Sequence, residues 1–441
     1  MGYRAWFECF EDCDETHALT EVVTRCRNGG LLDVRHDMDA LADRSGAEWR
    51  DLFDSRLASA PWPERSGVWS RREWVLPEIA TENIISTGEG NTPLLPATRL
   101  GEALGVGDLR IKMCGNTHTG SFKDLGMTVL VSAVAEMRSR GTEVAAIACA
   151  STGDTSAALS AYCALAGIPA VVFLPRGKIS TAQLVQPLAN HALVLSLDTD
   201  FDGCMKVVQE VTADGSIYLA NSMNPLRIEG QKTAAIEIAQ QWGWEVPDFV
   251  VIPGGNLGNI YAFGRGFQMM KALGLVERVP RLVCVQAALA NPLYEASLTD
   301  FQVLRAQVAG PTEASAIRIG DPVSMPRAVR ILREMDGIVE QATEDELANA
   351  AGLADAHGLY LCPHTAVALA GLRRLIADGT IDRSHRVAVV STAHGLKFTE
   401  HKVRYHEGAL PDVTSRHAHS PVELPADPSR VREAIRKAIG A

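Results

Sequence analysis

Residues 249–259, Phe249-Val250-Val251-Ile252-Pro253-Gly254-Gly255-Asn256-Leu257-Gly258-Asn259, carry the pattern from which the fold is read. A short, nearly continuous apolar run describes a strand covered on both faces rather than an alternating, half-wet one. Three glycines then let the backbone turn its amides onto one anion, where the helical segment Asn259–Leu273 begins. A dinucleotide fingerprint would need an acidic residue at the end of the following strand. That strand ends at Gln286-Ala287-Ala288, so a single phosphate is the expected guest.

The same alternation runs outward from residue 108. Strands are expected at Asp108–Met113, Val144–Ala150, Ala170–Leu174, Ala192–Leu197, Ile217–Ala220, Phe249–Pro253, Leu282–Gln286 and Val387–Ser391. Helices are expected between most of them, at Thr155–Ala166, Ala182–Ala189, Arg227–Trp242 and Asn259–Leu273. The expected fold class is α/β, with parallel sheets covered by helices on both faces. The tryptophan-rich run of Trp62, Trp69 and Trp74 reads as packing or interface surface. The stretch from about Arg404, rich in Pro, His and Ser, reads as a wrapping tail.

The 441 residues suffice for two or more packed units, and 46% hydrophobic with 22% charged residues is ordinary globular composition. The formal net charge of −11 gives no nucleic-acid footprint. No apolar run approaches the roughly 18 residues that span a bilayer, so no membrane partner is expected. The nine cysteines are scattered and odd in number, which suggests reduced thiols and a cytoplasmic protein. The N-terminus is acidic, the opposite of a signal or transit peptide. Cys9-x3-Cys13 with Cys26 lacks the partner that would complete a second pair, and nothing in the spacing favours His17, so no metal is expected.

Ligands in such folds sit beyond the carboxyl ends of the strands. In Gly120-Ser121-Phe122-Lys123-Asp124, Ser121 and Asp124 read as a capping box opening an apolar-periodic helix over Leu125–Met137. Lys123 then lies in the first helical turn, where the backbone's partial positive charge and apolar neighbours would lower its pKa toward nucleophilic use, although this segment by itself reads more readily as a capped helix with an ordinary surface lysine. Ser151-Thr152-Gly153-Asp154-Thr155-Ser156 opens another helix, with clustered hydroxyls and amides suited to an anion, or to capping alone. Asn221-Ser222-Met223-Asn224-Pro225-Leu226-Arg227 gathers amides, a hydroxyl and a guanidinium suited to a doubly charged phosphate. Lys232 is a weaker candidate, readable as a solvated helix lysine. In Ser391-Thr392-Ala393-His394-Gly395 the Thr392 hydroxyl suits a heterocyclic nitrogen, and His394 reads at least as readily as a structural histidine as a base.

In that order, Ser-Phe-Lys-Asp, Ser-Thr-Gly-Asp-Thr, Gly-Gly-Asn-Leu-Gly-Asn and Ser-Thr-Ala-His-Gly resemble the fold-type II, tryptophan synthase β-like pyridoxal-phosphate enzymes. Within them the chain resembles the plant-type branch of the threonine synthases, through phrases such as Leu31–Val34, Trp74–Glu78, Gln183–Pro187, Asp198–Cys204 and Gly230–Ala234, over about residues 25–412. The resemblance implies pyridoxal 5'-phosphate as cofactor, with Lys123 as the Schiff-base lysine and proton shuttle. It implies a phosphate cradle of Gly254, Gly255, Asn256, Leu257, Gly258 and Asn259, and Thr392 facing the ring nitrogen. Asp154 stands where most of the wider class has an asparagine beside the cofactor's phenolic oxygen. Ser151, Thr152, Thr155, Asn221, Ser222 and Arg227 would hold substrate carboxylate and phosphate.

The implied reaction converts O-phospho-L-homoserine and water to L-threonine and phosphate. The implied architecture is two doubly wound parallel-sheet domains with an N-terminal extension and a C-terminal tail. Residues 1–85 form the extension, a candidate dimer or regulatory element; 86–130 with 222–403 form the large cofactor-binding domain; 131–221 form the small domain; 404–441 form the tail. A homodimer and an S-adenosylmethionine effector are implied too, the latter near Trp69–Trp74. Threonine or serine dehydratase is the nearest alternative, though a dehydratase would not need the Asn221–Arg227 cluster. A cofactor-binding protein without turnover is the alternative from another class.

Overall fold

The computed structural model describes residues 2–11, 13–176 and 181–440. All eight strands expected from the sequence are present, each within two residues of its expected ends, because continuous apolar runs flanked by turns leave little choice of register. The strands are β1 (Ala5–Cys9), β2 (Thr16–Ala18), β3 (Leu32–His36), β4 (Leu94–Pro96), β5 (Asp108–Lys112), β6 (Ala146–Ala150), β7 (Ala170–Pro175), β8 (Leu193–Leu197), β9 (Ile217–Leu219), β10 (Phe249–Pro253), β11 (Arg281–Ala287), β12 (Ile338–Ala342) and β13 (Arg386–Val390). They form a six-stranded sheet in the order β12-β11-β10-β13-β5-β4, a four-stranded sheet in the order β8-β7-β6-β9, and a three-stranded sheet in the order β2-β1-β3.

The four-stranded sheet is wholly parallel. The six-stranded sheet is parallel except at its edge, where β4 runs antiparallel to β5. That departs from the all-parallel expectation. β4 is three residues long and ends in Pro96, and proline is confined to sheet edges because it donates no ladder bond. β12, the opposite edge, carries the half-buried Glu340 and Gln341, one on each face, so its apolar signal is diluted.

The N-terminal segment is built into the main core. β1 and β3 pair antiparallel and bury Phe7, Leu32 and Val34. Behind them Trp49, Phe53 and Trp74 cluster at 5.2–5.5 Å between ring centroids, with Trp74 edge-on to both of the others. Trp69 is fully buried and its indole N–H donates to Thr128 Oγ1 at 2.8 Å, on the Lys123–Ser139 helix. Trp69 and Trp74 are therefore packing residues and not interface surface; of the three tryptophans only Trp62, 59% exposed, faces solvent.

The expected helix Arg227–Trp242 is split into Leu226–Gln231 and Thr233–Gln241. Thr233 Oγ1 donates to Gly230 O at 2.6 Å and diverts a carbonyl from the helical ladder. The first of these two helices crosses the Lys123–Ser139 helix at very short range. A Cβ on Gly230 would stand 1.7 Å from Leu125 O, and one on Gly126 would stand 2.8 Å from Arg227 O. Only hydrogen fits there. The C-terminal tail follows helix Thr399–His406 and bonds back to Asp345 and Asn349 through Thr414 and Arg416. Its last helix, Pro428–Ile439, buries none of its residues.

Gly230→Ala should therefore force the two helices apart. We expect a loss of roughly 1–3 kcal/mol, as for other overpacked sites, read as a lower urea midpoint at unchanged m-value.

Candidate active site

The loops singled out above follow β5, β6, β9, β10 and β13, at the carboxyl ends of the parallel strands of two sheets. Lys123 is the first residue of its helix, and Gly120, at φ +78°, makes the turn into it. The expected capping box does not form. Asp124 instead turns back to accept hydrogen bonds from Thr119 N (2.8 Å), Thr119 Oγ1 (2.5 Å) and Thr117 Oγ1 (3.1 Å), while Ser121 Oγ accepts from Lys123 N at 3.3 Å. Burial pushes the Asp124 carboxyl up to about 6 against those bonds. This segment is pinned to the loop after β13: Phe122 N donates to Thr392 O and His394 N to Gly120 O, both at 2.9 Å.

The Lys123 side chain is half-buried, with its amine 4.1 Å from the centroid of the Phe122 ring. Desolvation, then the nearby Arg227 charge, pulls its pKa down to about 7 against the opposing pull of Asp154. At neutral pH a substantial part of this amine is unprotonated. That is the state in which it can attack a carbonyl or take up a proton.

The glycine loop lies between β10 and the Gly258–Ala272 helix. Its turn is made differently from the expectation. The left-handed residue is Leu257, at φ +66° and fully buried, while Gly254, Gly255 and Gly258 keep ordinary φ. The glycines are needed for clearance: a Cβ on Gly254 would stand 2.5 Å from Cys284 Sγ, and one on Gly255 2.9 Å from Ile317 Cγ2. Gly254 N is used by Val285 O, and Asn259 Nδ2 ties the loop to Pro253 O at 2.8 Å. The amides of Gly255, Asn256, Leu257, Gly258 and Asn259 find no acceptor among the described residues. Five free N–H groups at one helix start form an anion cradle.

A second polar group adjoins the cradle. Asn256 Nδ2 donates to Ser222 Oγ at 3.4 Å, and the Arg227 guanidinium reaches Ser222 Oγ (3.5 Å), Thr155 Oγ1 (3.3 Å) and Ala220 O (3.0 Å). Among the described residues, Arg227, 2% exposed, meets no carboxylate and leaves its Nε without a partner. Burial lowers its pKa only to about 10, so it stays cationic at neutral pH. A buried, partly unpaired guanidinium beside hydroxyls is a site for an anion.

Asn221 differs from its expected part: its amide is spent on the Ala150 peptide, accepting from N at 3.0 Å and donating to O at 2.9 Å. Ser151 accepts from Gly153 N at 3.3 Å, and Gly153 rather than either hydroxyl is the cap of the following helix. Thr152 is half-buried and takes no side-chain hydrogen bond among the described residues. Lys232 is no solvated lysine. It is buried, 2.5 Å from Glu229, which also bonds His36 at 2.6 Å, a structural triad.

Sequence reasoning missed Lys397. Its amine forms an ion pair with Asp154 at 2.7 Å and donates to Thr119 O (2.9 Å) and Gln186 Oε1 (3.2 Å). It joins the loops after β6 and β13 to the Lys123 turn, and nothing in its local pattern marked it. Thr392 is seated by Thr365, whose Oγ1 accepts from Thr392 N at 3.3 Å, with Cys362 Sγ 4.0 Å from its hydroxyl. Burial pushes the Cys362 thiol up, but bonds to His364 and Thr365 outweigh it and bring it down to about 7. His394 Nδ1 accepts from Leu396 N at 3.2 Å and caps a short 3-10 turn, a structural histidine.

The sequence pattern of the pyridoxal-phosphate dependent enzyme family matches residues 85–393. The chloroplastic threonine synthase 2 of Arabidopsis thaliana is 57% identical over 428 residues, 96% of this chain and 82% of that protein. The threonine synthase of Methanocaldococcus jannaschii is 35% identical over 426 residues, 96% of this chain and 98% of its own length. Among solved structures, the threonine synthase of Escherichia coli aligns with a TM-score of 0.67 at 21% identity, covering 98% of this chain and 100% of that one. At that identity the likeness is one of fold.

Labelling of the Lys123 amine by an amine-directed reagent should rise through pH about 7, well below surface lysines. Arg227→Met removes a like charge and should move that inflection upward, which peptide mapping across a pH series would read. Stability follows the same sign. The unfolded lysine holds its proton to about 10.5, so its burial costs stability below pH 7, and the cost fades as pH climbs from 7 to 10.5.

Proposed function

This chain belongs to the pyridoxal-phosphate-dependent enzymes, and within them to the threonine synthases; we propose that its site converts O-phospho-L-homoserine and water to L-threonine and phosphate. The observation that carries the proposal is a pair of adjoining anion sites beside one lowered-pKa amine: the five free amides of the glycine loop and the buried Arg227. One suits the cofactor's phosphate and the other the phosphate that the substrate releases.

The residues present fit pyridoxal 5'-phosphate. Gly255, Asn256, Leu257, Gly258 and Asn259 offer unspent amides, and Gly254 supplies the clearance that any Cβ would remove. Lys123 would hold the cofactor through its aldehyde, Thr392 would meet the ring nitrogen, and Asp154, oriented by Lys397, would face the phenolic oxygen. When bound, the cofactor supplies an electron sink for negative charge developed at the substrate's carbons.

The chain's own residues account for the remaining demands. Lys123, with a pKa of about 7, takes a proton from one substrate carbon and returns it to another without a large penalty in either direction. Arg227, with Ser222 and Thr155, receives the departing phosphate; the guanidinium stays charged, so its attraction strengthens as charge accumulates on the leaving oxygen. Ser151 and Thr152 present hydroxyls toward a carboxylate. Asn221 contributes by fixing the Ala150 peptide on which that loop stands. Burial of Arg227 and Thr392 keeps water from screening these charges.

The same reading carries the homodimer and an S-adenosylmethionine effector as proposals. With Trp69, Arg71 and Trp74 buried, the effector would have to bind elsewhere than on their side chains. Cytoplasmic residence is proposed from nine free cysteines; the Arabidopsis relative is named for the chloroplast, and cell fractionation decides for this chain.

Lys123→Ala should abolish turnover together with the visible absorbance of the loaded enzyme; retained absorbance would move the attachment to another lysine. Arg227→Ala should keep the cofactor but cut kcat/KM for phosphohomoserine by at least tenfold, a loss of about 1.4 kcal/mol or more in transition-state binding. Parallel assays with phosphohomoserine and threonine, scoring phosphate against ketoacid release, separate this function from a dehydratase. No phosphate release from the loaded protein would favour a binding role without turnover.

A further inference from the structure

The sequence spacing around Cys9, Cys13 and Cys26 argued against a metal, yet the fold closes the gap. The three Sγ atoms lie within 4.8 Å of one another. Three thiolates around one zinc, at Zn–S of about 2.3 Å, stand about 3.8 Å apart, so closing each separation by at most about 1 Å suffices. Two tight turns present them. In the first, Cys9 N donates to Glu15 O at 3.2 Å. In the second, Cys26 N donates to Gly30 O at 3.1 Å and Gly29 N to Cys26 O at 2.8 Å, with Gly29 at φ +79°.

Gly30 stands against the thiol, since a Cβ there would meet Cys26 Sγ at 3.2 Å and Glu11 Oε2 at 3.0 Å. The Glu15 carboxylate ties the two turns, accepting from Arg27 N at 2.6 Å and bonding His17 Nε2 at 2.8 Å. Cys9 and Cys26 are buried and Cys13 is half-buried, which leaves an entry path on one side only.

We propose that Cys9, Cys13 and Cys26 bind one thiophilic divalent cation, zinc by the softness of the donors, with a water in the fourth position. Binding converts three thiols to thiolates and releases their protons to solvent. The site lies at the end of the sheet that braces the glycine loop. Phe10, next to Cys9, packs edge-on against Tyr261 at 6.0 Å, and Tyr261 OH bonds Asp33 of β3. Tyr261 sits in the first turn of the helix that follows the loop. The cation thus closes the N-terminal turns and holds the sheet against that helix.

The test uses the full chain, purified reduced and without chelator. Elemental analysis should find about one zinc per chain. Replacement by Co2+ should give a thiolate-to-cobalt charge-transfer band and intense tetrahedral visible bands. Cys13→Ser and Cys26→Ser should each lose most of both signals and melt at lower temperature, while Cys163→Ala, in the Asp154–Ala166 helix, should keep them. Substoichiometric metal with no cobalt–thiolate band in the unaltered chain overturns the proposal. So does metal retained in the Cys13→Ser/Cys26→Ser double variant, or a disulfide between two of the three thiols in protein purified without reductant. Should the serine variants fail to fold, the cobalt spectrum of the unaltered chain still decides.

Discussion

Two cations that repel one another, Lys123 and Arg227, are held together because the helices that carry them touch backbone to backbone. At Gly126 and Gly230 the two helices approach so closely that no side chain of any size fits. The cost of confining like charges in a dry place falls on the weaker base. Arg227 keeps its proton, with a pKa of about 10, and Lys123 yields, at about 7. An exposed lysine would be almost wholly protonated at neutral pH. Desolvation comes first in lowering the Lys123 amine and the Arg227 charge second, and the packing at two glycines supplies that second part.

Everything around this pair keeps it in place without neutralising it. Asp154, which would favour the charged lysine, is drawn instead to Lys397 at 2.7 Å. Arg227 meets a carbonyl and two hydroxyls rather than a carboxylate, so its charge stays available to an incoming anion. The Asn256–Ser222 contact ties the glycine loop of one sheet to the loop after β9 of the other. Phe122 and Thr392 tie the lysine turn to the last strand. A short network of this kind spans both sheets, so a ligand bridging the two anion sites would sense the position of each.

The N-terminal segment belongs to the same logic. Its aromatic cluster buries Trp49, Phe53, Trp69 and Trp74, and Trp69 reaches Thr128 on the helix that Lys123 opens. Asp33 and Phe10 reach the helix that opens at the glycine loop. What reads locally as an appendage is a brace applied to both functional helices.

Much of this was legible residue by residue. Continuous apolar runs announced the buried strands, and the loops carrying Lys123, Asp154, Gly254, Arg227 and Thr392 announced themselves by hydroxyls, glycines and charges at strand ends. These are short-range signals, since burial pattern and turn chemistry are properties of neighbours in sequence. Other features depend on residues far apart in the chain, and local pattern is silent on them. Lys397 meets Asp154 across more than two hundred residues, and Asn221 is claimed by the Ala150 peptide. Trp69 is drawn inward by Thr128, and three cysteines that looked unpaired in the sequence share one corner of the fold. The chain alone wrote the strands, the turns and the inventory of reactive groups. Tertiary packing chose which charges stand together and which polar groups go unspent, because both depend on distances and on exclusion of water, which exist only once the sheets have closed.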